Sequence, residues 1–443
     1  MIERYFGRVL VDKSPYQVAV RGGRVPLSRI IPSGQSEVSG LRRRIIHGRE
    51  LSRPERPGER QMTSSLPDRS QYPCLRDSVY LNQASLGLIG QPAVATMHTF
   101  LENVARHGNL YMSDSDEINY LHALREVAGK LLHNNPSRIA IVASASELLG
   151  QFPLLLHLKP NATVLAVSSD FPAITRPWVR QSYFEKICVR FVDDLPGTNL
   201  TEAIINATDE TTGVIAVSNV QYATGTLVDV RSLARIAQKV GAFLIVDATQ
   251  AAGAMRVDTS ALEADAVVTS GYKWLGGHGG IALAVVSEFL LKQQPILPGW
   301  MGAPDPFDFD TKSVCFASDA RRFTQSTMSY VSIAGLTVSI EQLLSLGENR
   351  IEMHARDLAA MLIDGAREYG WEPFNDVHRV TACPHIISLG HKRIRAWESV
   401  EKLREQRIIC SARGDRIRVS LAPYNDASDV MKLLQALARF HSS

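Results

Sequence analysis

The chain has 443 residues, enough for two or three domains, with 45% hydrophobic and 21% charged residues. Its formal net charge is +3, but residues 1–60 carry twelve Arg and one Lys against six acidic residues, so the remainder is mildly acidic. Beyond the N-terminal segment, this balance excludes a broad basic surface for nucleic acid. A basic arm that binds RNA or DNA is the alternative for that segment, but its arginines are not interleaved with aromatic residues.

Residues 1–76, rich in Arg, Ser and Pro, offer too little apolar area to offset the entropy of ordering. We therefore predict that most of this segment is disordered, with short strands near Tyr5–Leu10 and Tyr16–Val20. The alternative is that the natural protein starts at Met62 and that the preceding residues are upstream sequence.

From Val79 onward, short runs rich in β-branched residues alternate with stretches of helical period. We predict strands at Arg138–Val142, Thr163–Val167, Gly213–Val217, Ala242–Val246 and Ala266–Thr269. Helices are predicted at Leu148–Leu158, Val230–Val240, Ile333–Tyr369 and Asp426–Phe440, with two or three further strands between the last two. This alternation predicts a mostly parallel α/β sheet flanked by helices in residues 77–325, followed by a smaller α+β domain in 326–443.

Five scattered cysteines, a lack of long apolar runs and an ordinary N-terminus limit the setting of the protein. The cysteines form no CxxC pair, which argues against a disulfide framework or a metal site and is typical of a reducing cytoplasm. No apolar run approaches the roughly 20 residues of a membrane span, and no secretory signal pattern opens the chain. We expect a cytoplasmic protein that binds neither membranes nor nucleic acid. The cysteines are Cys74, Cys188, Cys315, Cys383 and Cys410.

An acidic residue, Asp247, ends the apolar run before Ala248-Thr249-Gln250. Because an unpaired buried carboxylate is costly, and because ligands collect at the carboxyl ends of such strands, Asp247 is a candidate ligand residue. A carboxylate here can pair with a protonated ring nitrogen and make a pyridinium an electron sink, and Gln250 can donate to the ring's 3'-oxygen. The alternative is that Asp247 caps the following helix.

A lysine, Lys273, follows a second apolar strand in Ser270-Gly271-Tyr272-Lys273-Trp274-Leu275-Gly276-Gly277. An amine must be neutral to attack an aldehyde, and burial lowers its pKa. The glycines let the backbone approach a ligand, and Ser270 and Tyr272 offer hydroxyls to a phosphate. A single Lys between glycines is most often a solvated loop residue, but the ordered set of Asp, Gln, Ser, Tyr and Lys favours a pyridoxal-5'-phosphate (PLP) site.

A run of small residues, Ala143-Ser144-Ala145-Ser146, joins a predicted strand to a helical stretch. Small residues free backbone N–H groups, and a helix N-terminus favours an anion by about 0.3–1 kcal/mol. Ser146 would add a hydroxyl to a phosphate there. The alternative is that serine at this place is only a helix cap.

These residues resemble the class V aminotransferase group of fold-type I PLP enzymes, which includes cysteine desulfurases, kynureninase and isopenicillin epimerase-like proteins. The resemblance runs from about residue 78 to the C-terminus, and the spacing from Asp247 to Lys273 is the family's own. The matching segments are Tyr80–Ala84, Ala145–Glu147, Asp170–Ala173, Pro177-Trp178, Ser218–Gly225, Asp247–Gln250, Ser270–Lys273 and Arg416–Asn425.

The resemblance implies that Lys273 forms a Schiff base with PLP and later moves the substrate proton, while Asp247 pairs with the ring nitrogen. Arg418 would bind the substrate α-carboxylate as a bidentate fork, with Asn82 in the same substrate site. Tyr272 stands where many relatives have His. Further residues implied to bind the cofactor are Ala145, Ser146, Phe171, Ser218, Gln221, Gln250, Ser270, Tyr272 and Thr327.

The resemblance also implies how Phe171 contacts the cofactor and how the segment with Ser326 and Thr327 contributes to the site. Phe171 stands where an aromatic or His side chain stacks on the ring, the alternative being plain core packing. Ser326 and Thr327 match a segment that in the family reaches the partner subunit's phosphate. The resemblance therefore implies a homodimer with shared active sites.

The reaction depends on features outside the cofactor motif. A cysteine desulfurase needs a nucleophilic Cys on a mobile loop shortly before the carboxylate-binding Arg. Cys410, the nearest candidate, lies in the apolar, strand-like run 407–414 and lacks that loop pattern, which favours an inert buried thiol.

The segments Leu297–Gly302 and Arg321–Thr327 resemble PLP enzymes of lincosamide antibiotic biosynthesis that process a cysteine S-conjugate. This resemblance implies β-elimination across the C–S bond, or a decarboxylating oxidative deamination of the same substrate. The alternatives are an aminotransferase or epimerase acting on an amino acid, a desulfurase using Cys410, and a catalytically silent PLP-binding protein. The presence of Lys273, Asp247 and Arg418 counts against the silent protein.

Overall fold

The structure is a computed structural model that describes residues 63–376, 379 and 381–441. These residues belong to one compact unit of the chain. The disorder predicted for the N-terminal segment, the two short strands expected there and the alternative start at Met62 lie outside the described residues, except for 63–76.

The described residues contain thirteen strands. In chain order they are β1 Val79–Tyr80, β2 Ile139–Val142, β3 Thr163–Val167, β4 Cys188–Val192, β5 Thr212–Ser218, β6 Phe243–Asp247, β7 Ala266–Ser270, β8 Ala282–Val286, β9 Trp371–Pro373, β10 Ile386–His391, β11 Ile408–Ile409, β12 Ser411–Arg413 and β13 Arg416–Ser420.

Twelve α-helices accompany them in the described part of the chain. They are α1 Gln91–His107, α2 Asp114–Leu131, α3 Ala145–Leu155, α4 Pro172–Gln181, α5 Leu200–Ala207, α6 Val230–Val240, α7 Thr259–Leu262, α8 Glu288–Leu291, α9 Tyr330–Leu346, α10 Glu348–Arg367, α11 Ala396–Glu405 and α12 Ala427–His441.

The central sheet has seven strands in the order β2-β8-β7-β6-β5-β3-β4. Its neighbouring strands are parallel except where β8 pairs with β2 and with β7. Successive residues of β6 enter opposite cores, since Leu244 and Val246 belong to one apolar cluster and Ile245 to another. A sheet with both faces covered needs apolar residues at every position of its inner strands. The predicted mostly parallel α/β sheet is therefore confirmed.

The predicted helix at 148–158 is displaced in the structure, where α3 runs from Ala145 to Leu155. The hydroxyl of Ser144 accepts a hydrogen bond from the backbone of Glu147 at 3.1 Å and thereby starts the helix earlier. At the other end, His157 adopts a positive φ of 45°, which a continuing α-helix does not allow.

The single long helix predicted over 333–369 is wrong, because the structure has two helices there, α9 and α10, which meet at 75°. Gly347 separates them with a φ of +84°, a conformation that only glycine adopts readily. Within the described residues, no single helix combines the length and apolar composition of a membrane span, and α9 with α10 would reach that length only as a bent pair.

The C-terminal part contains a four-stranded antiparallel sheet in the order β12-β13-β10-β9. With β11, five strands lie between α10 and α12, two or three more than predicted. A separate apolar cluster fills its core and includes residues of α10, α11 and α12. Helix α12 begins within one residue of its predicted start. The boundary at 325/326 stays a prediction, and α9, which follows it, packs against α1 and α2.

An ion pair joins the first described residues to the C-terminal helix. Arg69 donates to Asp429 at 2.8 Å and to Asp426 at 3.0 Å, and its side chain is 26% exposed whereas that of Asp429 is 0% exposed. The same guanidinium donates to the backbone oxygen of Tyr424 at 2.8 Å. Arg69 therefore supplies the positive charge beside a buried carboxylate.

Replacing Arg69 by Met should lower the free energy of unfolding by about 2 kcal/mol, less than the roughly 3–5 kcal/mol for a fully buried pair because Arg69 is partly solvated. Chemical denaturation of both proteins measures the difference. The matched control is Arg190→Met, whose partner Asp209 is exposed and whose loss should change stability little. Equal effects of the two substitutions would contradict the role given to the Arg69 pair.

Candidate active site

Three neighbouring parallel strands end on polar residues at one edge of the central sheet. Ser218 ends β5, Asp247 ends β6 and Ser270 ends β7, with Ser218 and Asp247 directly paired. A cavity of about 230 Å³ lies at this edge. Its lining residues are Ser144, Ala145, Ser146, Phe171, Ala173, Ser218, Tyr222, Asp247, Thr249, Gln250, Ser270, Tyr272 and Lys273.

The structure thus brings together nine of the residues selected from the sequence. Four others do not line this cavity: Asn82, Gln221, Thr327 and Arg418. A larger cavity of about 660 Å³ lies along α5 and α6, but it contains neither the lysine nor the strand-end carboxylate. We therefore take the smaller cavity, which contains both groups, as the candidate active site.

Lys273 is held by its backbone. Its carbonyl oxygen accepts hydrogen bonds from the side-chain amide of Gln83 at 2.9 Å and from the backbone of Gly276 at 3.1 Å. The backbone of Gly87 passes so close that a Cβ at this position would lie 2.1 Å from the Lys273 carbonyl oxygen. This packing fixes the Cα of Lys273 and leaves its side chain to reach into the cavity.

The amine of Lys273 is poised for reaction near neutral pH. Its pKa is lowered to about 8, chiefly by burial; the nearby Asp247 carboxylate opposes this shift, and the charges of Arg418 and Arg413 add to it. At pH 7 roughly a tenth of such an amine is neutral, against well under about a thousandth for an ordinary lysine. A neutral amine is the form that attacks a carbonyl carbon.

Asp247 is buried, and its carboxylate interacts electrostatically with the Lys273 amine. One carboxylate oxygen accepts a hydrogen bond from the backbone of Thr249 at 2.8 Å. Burial raises the pKa of Asp247, while the Thr249 hydrogen bond and the Lys273 charge act in the opposite direction. The alternative that Asp247 caps a following helix is wrong, because turns follow it and the next helix, α7, begins only at Thr259.

The first turn of α3 forms another wall of the cavity. The capping residue is Ser144, whereas Ala145 and Ser146 are the first two helical residues. Their side chains line the cavity beside the positive end of the helix dipole. Across the cavity, the hydroxyl of Thr249 accepts from the backbone of Ser270 at 3.0 Å and fixes the start of the turn that carries Tyr272.

Phe171 lines the cavity, so it is not a plain core residue. The centre of its ring lies 5.1 Å from the Lys273 amine, and it meets the ring of Tyr222 edge-on with centroids 5.4 Å apart. The residue before it, Asp170, is buried and accepts the backbone N–H of Phe171 at 2.7 Å. This contact sets the direction in which the phenylalanine leaves the backbone.

The same Asp170 carboxylate binds two more residues chosen from the sequence. Ser218 donates to it from its backbone at 2.7 Å and from its hydroxyl at 2.6 Å, and the Gln221 amide donates at 3.1 Å. Burial raises the pKa of Asp170 to about 6 in spite of these donors. Sequence reasoning missed Asp170, although a carboxylate just beyond a buried strand and directly before Phe171 was a usable signal.

Gln250 lines the cavity but is largely committed to the protein. Its amide nitrogen donates to the carbonyl oxygen of Ala84 at 3.1 Å, and its amide oxygen accepts from the Trp274 indole at 2.8 Å. Buried His385, also missed from the sequence, donates to the Gln250 backbone oxygen at 2.6 Å. One amide N–H of Gln250 is left for a ligand.

Arg418 lies beside the cavity and is only 1% exposed. Its guanidinium donates to the carbonyl oxygen of Tyr222 at 2.9 Å and to the hydroxyl of Ser85. That hydroxyl in turn donates to the side-chain oxygen of Asn82 at 2.8 Å, so both predicted substrate residues meet through Ser85. Thr327 is exposed and does not line the cavity.

The family model of aminotransferase class V matches residues 79–433 of this chain. The chain belongs to the class V aminotransferase family. An uncharacterized aminotransferase of Bacillus subtilis, YcbU, is 25% identical over 374 residues, which cover 84% of this chain and 96% of that protein.

Two solved structures are similar to this class V enzyme in fold. The apo structure of a cysteine desulfurase from Thermococcus onnurineus has a TM-score of 0.77 at 20% identity, covering 84% of this chain and 97% of that chain. A lysine-to-alanine variant of C-DES with glycine covalently linked to its PLP cofactor has the same TM-score and identity, covering 84% and 99% of the two chains. The predicted membership of the class V aminotransferase group, the fold-type I architecture and PLP as cofactor are thus confirmed.

The cavity of this class V enzyme fits PLP in its size and in the chemical groups that surround it. Its volume of about 230 Å³ is below the roughly 300–1,000 Å³ of pockets for drug-sized ligands, as a single substituted ring requires. An amine with a lowered pKa, a buried carboxylate, an aromatic face and a helix N-terminus surround it. These groups match the aldehyde, ring nitrogen, ring face and phosphate of the cofactor.

Substituting Gly87 by Ala should weaken PLP binding by about tenfold or more, because the new Cβ must displace the Lys273 backbone and such overpacking costs about 1–3 kcal/mol. An absorbance titration of apoenzyme with PLP measures the affinity. The control Gly150→Ala adds a Cβ in open space within α3 and should leave affinity and folding intact. Unchanged affinity in the Gly87 variant would show that the close approach does not position the lysine.

The rate at which apoenzyme captures PLP covalently should rise with pH around a midpoint near 8, because capture needs the neutral Lys273 amine. Asp247→Asn should move that midpoint to lower pH, since the carboxylate charge raises the pKa of the lysine. Stopped-flow absorbance over pH 6–10 measures both profiles. A rate that still climbs steeply at pH 10 would contradict the lowered pKa.

Proposed function

We propose that this PLP-dependent enzyme cleaves the C–S bond of a cysteine S-conjugate by β-elimination, as a step of secondary metabolism. The observation that carries the proposal is a complete set of amine, carboxylate and guanidinium beside a cavity that no cysteine lines. Elimination releases the sulfur as a thiol and needs no protein nucleophile to accept it. The sequence resemblance to lincosamide enzymes that act on cysteine S-conjugates supports the same substrate class.

A desulfurase is the competing proposal, and the state of Cys410 argues against it. Cys410 is 5% exposed between β11 and β12, and burial raises the pKa of its thiol to about 12. A thiol must be deprotonated and reachable to attack sulfur. Buried Cys383 has its pKa raised to about 12 in the same way.

The proposed roles follow from the positions of the side chains. Bound PLP supplies an electron sink for the charge that develops at Cα. Asp247 holds the proton of the ring nitrogen, and the α3 N-terminus with Ser146, Ser270 and Tyr272 binds the phosphate. Phe171 covers the ring face, and Ser218, Gln221 and Gln250 shape the pocket around it.

Arg418 holds the substrate α-carboxylate, with Asn82 in the same network, and Lys273 takes the proton from Cα. The C–S electron pair leaves with sulfur, which is released as a thiol after protonation. Water then hydrolyses the remaining three-carbon fragment to pyruvate and ammonia. The reaction consumes no oxidant and no second substrate other than water.

We further propose a cytoplasmic homodimer in which Thr327 serves the partner's site. In one chain Thr327 is exposed and does not line the cavity, which supports a role across a subunit boundary. All five cysteines are free, as expected in a reducing compartment.

Incubation of the PLP-loaded enzyme with a panel of cysteine S-conjugates should release equal amounts of thiol and pyruvate, measured by mass spectrometry. Lys273→Ala should abolish turnover, whereas Cys410→Ala should keep it within about twofold because an inert buried thiol plays no chemical part. Formation of pyridoxamine phosphate without thiol release would indicate a transaminase instead. Loss of turnover in the Cys410 variant with folding intact would favour a desulfurase that uses this thiol.

A further inference from the structure

Two arginines of one hairpin converge on a single hydroxyl beside the proposed active site. Arg413 ends β12 and Arg418 lies in the adjacent antiparallel strand β13. Both guanidiniums donate to the hydroxyl oxygen of Ser85, Arg413 at 3.1 Å. Both charges also act on the Lys273 amine. The pair therefore belongs to the substrate end of the cavity, although only Arg418 was selected from the sequence.

In the described part of the chain, no acceptor of these two guanidiniums carries a charge. Besides Ser85, Arg413 donates to the carbonyl oxygen of Ala412 at 2.7 Å, and Arg418 donates to that of Tyr222 at 2.9 Å. Among the residues that the structure describes, neither arginine forms an ion pair with a carboxylate. The Ser85 hydroxyl gives its own proton to Asn82. It therefore offers two lone pairs to two cations and has no capacity left.

Such an arrangement is costly without an anion. Arg418 is 1% exposed, and its Nε is buried with no hydrogen-bond partner. Burial and the nearby Arg413 charge both disfavour the charged form and lower its pKa to about 9. A buried cation that keeps its charge at neutral pH beside a second cation is stabilised only when an anionic group completes the site.

One carboxylate satisfies one planar guanidinium fork. The α-carboxylate of an amino acid, placed on Arg418, thus leaves Arg413 without a counter-charge. We propose that Arg413 selects a substrate whose side chain carries a second anionic group, such as a carboxylate. The inference rests on the proposed function in that the substrate is an amino acid, and it makes the preferred cysteine S-conjugate one whose sulfur substituent ends in an acid.

Amine-free acids test this inference without any reaction at the cofactor. Isothermal titration of the PLP-loaded enzyme with succinate, glutarate and adipate compares two carboxylates at three spacings with butyrate, which has one. The best dicarboxylate should bind about tenfold tighter than butyrate or better, because only a second carboxylate can accept charge-assisted hydrogen bonds from the Arg413 guanidinium. If none of the three binds tighter than butyrate, the inference is wrong whatever the variants do.

Variants then assign the two charges. Arg413→Gln should reduce dicarboxylate affinity to that of butyrate while leaving butyrate affinity within about twofold, and Arg418→Gln should weaken both ligands by about tenfold or more. The control Arg393→Gln removes an exposed arginine of the β10–α11 loop and should change neither. Equal weakening of both ligands by Arg413→Gln would mean that both guanidiniums share one carboxylate, which overturns the inference.

The outcome is separable from that of the elimination assay. If conjugates with neutral and with acidic substituents release thiol with equal efficiency, the proposed elimination is supported and the requirement for a second anionic group is refuted. If dicarboxylates bind selectively but no conjugate releases thiol, the two-anion site is supported and the proposed elimination is refuted.

Discussion

The burial of one amine beside one carboxylate is the constraint on which the site depends. Lys273 and Asp247 both lie at the carboxyl edge of a sheet whose two faces are covered, where water cannot stabilise either charge. Burial moves the two pKa values toward each other, the amine downward and the carboxylate upward. The result is a partly neutral amine and a carboxylate in need of a cationic partner, which is the pair of properties that a pyridine aldehyde requires.

The walls of the cavity are built by residues that do not enter it. Asp170 fixes Phe171, Ser218 and Gln221 through four hydrogen bonds on one side. On the other side Trp274 and His385 fix Gln250. Because these supports are buried and directional, the side chains around the cofactor hold their positions before any ligand binds.

The large sheet and most of the lining residues were predictable because they follow from local patterns. Strands such as β3 and β6 are apolar at nearly every position. Asp247 ends β6, and Lys273 lies three residues after the end of β7. The break between α9 and α10 was missed because one glycine, Gly347, changes the chain direction without interrupting the apolar period. Arg413 was missed because its importance comes from a partner 328 residues away in the chain. Contacts of that separation are set by the fold and leave no periodic signal.

We propose that Lys273, and no other lysine, carries the cofactor. Reduction of PLP-treated protein with borohydride, followed by protease digestion and mass spectrometry, locates the modified residue directly. We expect one pyridoxyl group per chain, on the peptide that contains Lys273. A stoichiometric modification on any other lysine, or none at all, would contradict it.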